Sequence, residues 1–150
     1  MNNTTLEVLL NNLDGSGSDI EINAIRELRK LVGSGLPALL LNKYRVSKKW
    51  QVRSSCVYHS ICYARDVEES VQLGIEALSD KSKVVRYRAC MLLACSLNKN
   101  AISVLKELEL LASDSETQAN AHAAIDAIEN QNTNYFVDRN HTGKVKLNFQ

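Results

Sequence analysis

The chain is poor in helix breakers, with one proline (Pro37) and six glycines in 150 residues, and it holds a single tryptophan, Trp50. So few breakers exclude a many-turned β fold and favour helices joined by short connections. No apolar run reaches the ~20 residues that a membrane-spanning helix needs. The opening Met1-Asn2-Asn3-Thr4-Thr5-Leu6-Glu7 lacks the basic and then apolar order of a signal peptide, so a cytoplasmic location and no membrane partner are expected. Net charge is only +1, so bulk charge directs the chain to neither nucleic acid nor a lipid surface. The four cysteines, Cys56, Cys62, Cys90 and Cys95, form no Cys-x-x-Cys pair. Spacings of six and five residues on a helix rarely bring two Cα atoms within disulfide reach, about 7 Å, so all four read as small buried hydrophobes. A zinc site built from Cys56 and His59 would need distant ligands, since no second pair has ligand spacing, and no metal or other cofactor is expected.

What is present is an ordinary globular composition, 45% hydrophobic and 23% charged, in a chain long enough for one domain with a sizeable core. The strongest signal is internal repetition. Ile20, Ala24, Leu28 and Leu31 follow one another at steps of four, four and three, the inner stripe of an amphipathic helix. The stripe recurs as Val52, Cys56, Ser60, Tyr63, then Val85, Ala89, Leu93, Ser96, then Thr117, Ala121, Ile125, Ile128. The small residues Ala24, Cys56, Ala89 and Ala121 lie 32, 33 and 32 positions apart, which predicts a repeated close helix–helix contact. Between the stripes lie four further apolar segments: Leu6 to Leu13, a short one from Leu36 to Leu41 with Pro37 in its first turn, Val67 to Leu78, and Ile102 to Leu111. Turn residues cluster between them, as in Asp14-Gly15-Ser16-Gly17-Ser18 and Ser79-Asp80-Lys81-Ser82. The pattern predicts about eight helices in four pairs, each pair unable to bury its apolar face alone, which is the logic of an α-solenoid.

The stretch Leu78-Ser79-Asp80-Lys81-Ser82-Lys83-Val84-Val85-Arg86-Tyr87-Arg88-Ala89 resembles the turn and second helix of a HEAT repeat, with Asp, then Val-Arg, then Ala. Val52-Arg53-Ser54-Ser55-Cys56 is similar, with Cys for Ala, whereas the first and last copies carry Glu21 and Gln118 in place of the Arg. The resemblance spans roughly residues 6–129, and the short period is similar to that of compact bacterial HEAT-like repeats. It implies an all-α solenoid of about four helix pairs over residues 1–130 and a role as a binding scaffold. Residues 131–150 change character. Asn134-Tyr135-Phe136-Val137-Asp138 and Lys144-Val145-Lys146-Leu147-Asn148-Phe149 flank a Gly-ended turn, which predicts a β-hairpin packed on the same domain. Asp138, Asn140, Thr142 and Gly143 also match the start of a calcium loop, but Phe149 stands where the bidentate Glu belongs, so the hairpin is the preferred reading.

Charge comes in blocks. Residues 43–65 hold six bases and no acid, 66–80 five acids and no base, 81–106 six bases, and 107–129 six acids. Such blocks either pair between adjacent helices or present a polarised face to a charged partner. Arg53 and Arg86, in the HEAT-like position, either pair with a turn Asp such as Asp80 or anchor an interface. Tyr58 and Tyr87 fall off the inner stripe beside them, and Tyr and Arg are favoured interface anchors. With Lys49 from the same basic block, these form the candidate partner-binding set. Trp50 reads as a turn-packing residue. His59, His122 and His141 sit on different segments, with no nucleophile–base motif and no phosphate-binding Gly loop, so no catalytic residue is assigned.

Three functions stay open. The first is a non-enzymatic protein-binding module, most specifically a bacterial immunity protein that neutralises a toxin domain, since small HEAT-like chains with a similar Tyr-Phe-Val-Asp-Arg-Asn-His-Thr-Gly tail resemble such proteins. The second is a nucleic-acid-binding protein resembling HEAT-like DNA glycosylases, for which Asp66 or Glu68 would have to be the acidic residue of an aromatic-lined groove. The third is a general scaffold.

Overall fold

The computed structural model describes residues 3–148, with side chains from Thr5 onward. The described residues are all-α: α1 (Asn3–Asn11), α2 (Asp19–Val32), α3 (Leu36–Val46), α4 (Trp50–Ser60), α5 (Glu68–Ala77), α6 (Lys83–Ser96), α7 (Ile102–Leu111) and α8 (Ser115–Glu129). Caps fix several ends. The Ser18 hydroxyl accepts the Glu21 amide to start α2, and the Asp114 carboxylate accepts the Thr117 amide to start α8, each satisfying an orphan donor of the first turn. Gly33, at φ +52°, ends α2 in a conformation that favours glycine.

Consecutive helices pack in pairs, α3 on α4, α5 on α6 and α7 on α8. In addition α4 packs on α6 and α6 on α8, while α3 packs on α5. The small residues of the repeat make these approaches possible: Ala24, Cys56, Ala89 and Ala121 are all buried, with Leu28, Leu93, Ile125 and Ile128 beside them. Gly74 serves the same end on α5, where a Cβ would come within 2.7 Å of a Leu92 methyl. The backbone of α2, by contrast, stands off α4, and its neighbours are α1, α3 and the 33–35 turn. The stripe on α2 is therefore covered only at its centre. Ile20 is 64% exposed and Leu31 is also solvent-facing, where the repeat pattern predicts burial for both, and Glu21 takes the buried place next to Ala24.

A repeated polar bond ties each second helix to the turn before it. Arg53 donates to the Lys48 carbonyl at 2.8 Å and the Ser47 carbonyl at 3.3 Å. Arg86 donates to the Asp80 carbonyl at 2.7 Å and Gln118 to the Ala112 carbonyl at 2.8 Å. In α2 the sense reverses: Glu21 accepts from the Gly15 amide at 2.7 Å and the Gly17 amide at 2.8 Å. The two arginines also reach the following turn, Arg53 to Asp80 and Arg86 to Asp114, so the pairs bind successive turns together.

The tail departs from the expected hairpin. No strand occurs among the described residues, and Phe149 lies outside them. A 3-10 turn, Thr133–Phe136, packs on α8 and α6 and buries Phe136 completely. The chain then folds round Asp138, whose buried carboxylate accepts the Thr142 amide, the Thr142 hydroxyl and the Gly143 amide at 2.8–2.9 Å. The donors that would open a strand are used inside this loop, and residues 144–148 have no neighbouring strand to pair with. His141 stacks on Tyr135 and lies 2.5 Å from Asp126, which holds the loop to α8. Cys62 is a second departure: it sits exposed on the 3-10 turn Ile61–Tyr63, whereas the other three thiols are buried. Burial pushes the thiols of Cys56, Cys90 and Cys95 up to about 12, so they stay protonated and inert.

Candidate functional site

Because α2 stands off α4, a groove of about 900 Å³ opens between α2, α4 and the start of α6. Its floor is apolar and partly exposed: Ile22, Trp50 and Val84 each keep 42–43% of their surface. Its walls carry four cations, Arg26, Arg29 and Lys30 from α2 and Arg88 from α6. Arg88 lies over the Tyr58 ring, 4.3 Å from its centroid, a cation–π contact that fixes both side chains. Arg26 donates to the Asn23 side chain and Lys30 makes a surface pair with Glu27, contacts weak enough to exchange for a partner's.

The groove has one carboxylate, Glu21, and it is buried and already engaged. Besides the two glycine amides it accepts the Ser55 hydroxyl at 2.9 Å. Gly15 is needed there for two reasons: its φ is +79°, and a Cβ would meet the Gln51 carbonyl oxygen at 2.4 Å. His59 completes the site. Burial pushes its imidazole down to about 4, with Arg29 and Arg88 acting in the same direction and Glu21 opposing them. The ring is therefore neutral at physiological pH, and its Nδ1 has no hydrogen-bond partner.

Of the five residues picked from sequence, the structure places Tyr58 in this groove and the others elsewhere. Arg53 is 8% exposed and bound to Asp80 through Nε at 2.8 Å and Nη2 at 3.1 Å. Arg86 is half-buried between Asp114, Thr117 and the Asp80 carbonyl. Tyr87 is half-buried against Phe136, at 5.6 Å between centroids. Lys49 is exposed at the start of α4, beside Asp14. Some members of the charge blocks pair with each other across neighbouring helices: Arg45 with Glu76, Arg53 with Asp80, Lys83 with Glu116 and Arg86 with Asp114. The cations of the groove come mostly from α2, outside those blocks. The α2 signal that sequence reading passed over is Ile22, Arg26, Arg29 and Lys30 at spacings of three and four, an outer face that is apolar and basic together.

Two shallower clefts lie away from the groove. Asp66 and Glu68 line one, with Arg65, Gln72 and Asn98 and no aromatic residue. The other runs along α8 beside His122, which is 2.8 Å from Glu109, and His141. Among the described residues no three His, Cys, Asp or Glu side chains are grouped to hold a metal, and no helix is long and apolar enough to cross a membrane. No family model matches the chain, and no curated protein matches it significantly.

Proposed function

We propose that this chain is a non-enzymatic protein-binding module, a short α-solenoid of HEAT-like helix pairs that receives its partner in the groove between α2, α4 and α6. Its most specific form is a cytoplasmic bacterial immunity protein that binds and neutralises a toxin domain. The observation that carries the reading is the groove itself, where three exposed apolar side chains sit among four cations. A concave apolar floor with a polar rim is how protein partners are seated, and aromatic and arginine side chains dominate such contacts. The polar groups of the groove support binding over catalysis. The Ser55 hydroxyl donates to Glu21, and that carboxylate also accepts two backbone amides, so both groups are engaged within the fold.

The same cations with Trp50 and Tyr58 also favour a second reading, a groove for a nucleic-acid strand. A glycosylase-like version of it is disfavoured because Asp66 and Glu68 lie in a separate cleft without aromatic walls. The test of the first reading is co-expression with the protein encoded immediately upstream of the gene, which the immunity reading requires to be a toxin. Protection of growth and a stable complex on gel filtration are expected, both lost in a folded Trp50→Ala/Arg88→Glu variant. A chain that neither protects nor binds refutes the immunity reading.

A further inference from the structure

We infer that the occupant of this groove is an acidic protein segment carrying one large apolar anchor. The inference rests on the protein-binding reading above and names the chemistry of the partner. The anchor is dictated by the floor: Ile22, Trp50 and Val84 come from three helices and leave apolar surface facing one space. Each keeps more than two fifths of its surface exposed. The His59 ring is itself neutral, so an apolar group can be desolvated against that side chain without burying its charge.

The acidity is dictated by the walls. The chain as a whole carries a net charge of only +1, yet the groove gathers Arg26, Lys30 and Arg88 around a single carboxylate that its own amides satisfy. Arg45 is met by Glu76 and Arg53 by Asp80 of the following turn, whereas Arg26 and Lys30 have only weak partners on their own helix and Arg88 has an aromatic ring. A segment with carboxylates on both sides of the anchor would meet α2 on one side and Arg88 on the other. A basic or uncharged segment would leave these cations desolvated and uncompensated.

Trp50, the only tryptophan of the chain, reports on the site directly through its fluorescence. The probes are ten-residue peptides of Asp and Glu with one central Phe, the same peptide with Ala for Phe, its counterpart with Lys for every acid, and a ten-nucleotide oligothymidylate. Saturable change in Trp50 emission is expected with the acidic Phe peptide. Binding should weaken about thirtyfold when Phe becomes Ala, in line with the loss of one buried anchor. Arg26→Glu/Arg88→Glu should abolish binding of the acidic peptide and create binding of the Lys peptide. This reversal of preference cannot come from misfolding. Equal affinity for the Phe and Ala peptides, no saturation by the acidic peptide, or tighter binding of the oligonucleotide would each overturn the inference, the last in favour of a nucleic-acid strand. Growth protection without peptide binding would leave the protein-binding reading standing and place the toxin on another face. Peptide binding without protection would uphold the acidic occupant and refute the immunity reading alone.

Discussion

Removing the carboxylate of Asp80 tests whether the Arg53–Asp80 pair holds successive turns together. Asp80 is buried and accepts four bonds: the Tyr44 hydroxyl at 2.8 Å, Arg53 Nε at 2.8 Å, Arg53 Nη2 at 3.1 Å and the Ser82 amide at 2.9 Å. Asp80→Ala strands the Arg53 guanidinium, whose side chain is 9% exposed, with only the carbonyls of Ser47 and Lys48. Breaking a buried pair by deleting one partner costs about 3–5 kcal/mol, because the remaining charge stays out of water. In a domain of this size that lowers the melting temperature by roughly 6–20 °C. Arg53→Met/Asp80→Ala removes both charges and should recover about 2 kcal/mol or more of the loss in a double-mutant cycle, measured by urea denaturation followed at the helical circular dichroism signal. The pH dependence supplies a second check. Burial works to raise the Asp80 carboxyl, but the bonds from Arg53, the Ser82 amide and Tyr44 outweigh it and hold the group below its ordinary 3.8. A depressed carboxyl contributes stability above its unfolded value and loses it as pH falls through the folded one. The gap between wild type and Asp80→Ala should therefore be full at pH 7 and close below about pH 4. A loss under ~1 kcal/mol, or a double variant as unstable as the two single losses added, would refute the argument.

Ala89→Asp should cost several kcal/mol, on the order of the stability of a whole domain, since Ala89 is fully buried at the repeated contact; an unchanged melting temperature would show the register to be wrong. Gly15→Ala should destabilise by about 2 kcal/mol or more and Gly17→Ala by about 1 kcal/mol, because both have positive φ but only Gly15 meets backbone, so equal losses in urea melts would contradict the close approach to Gln51. His59 takes up a proton near 6.5 when unfolded but only near 4 when folded, so stability falls as pH drops through that window, by roughly 3 kcal/mol in all. His59→Leu should be close to neutral at pH 7.5 and remove most of that fall, and a variant whose stability drops as steeply as wild type between pH 6.5 and 4 would exclude the assignment.

The helical class and the register of its core were legible from sequence because both depend on local periodicity. A stripe at steps of four, four and three marks the face of a helix that a neighbour can cover, and Ala24, Cys56, Ala89 and Ala121 at its centre are buried, although Ile20 and Leu31 at the ends of the α2 stripe are not. Which charges meet was not legible. Arg53 and Asp80 are 27 positions apart, and the pair exists because the turn before α6 lies beside the start of α4. The alternation of Lys144, Val145, Lys146 and Leu147 reads as a strand, yet a strand exists only where another backbone accepts its bonds, and the Asp138 loop and α8 offer none. The groove was hidden for the same reason. Ile22, Trp50 and Val84 stand 28 and 34 positions apart and become one surface only because α2, bearing Glu21 where α4 and α6 bear Arg53 and Arg86, stands away from α4. Periodicity within a helix specifies which face can be buried, and the distance between helices, which no local pattern encodes, decides how much of that face is covered and what is left open.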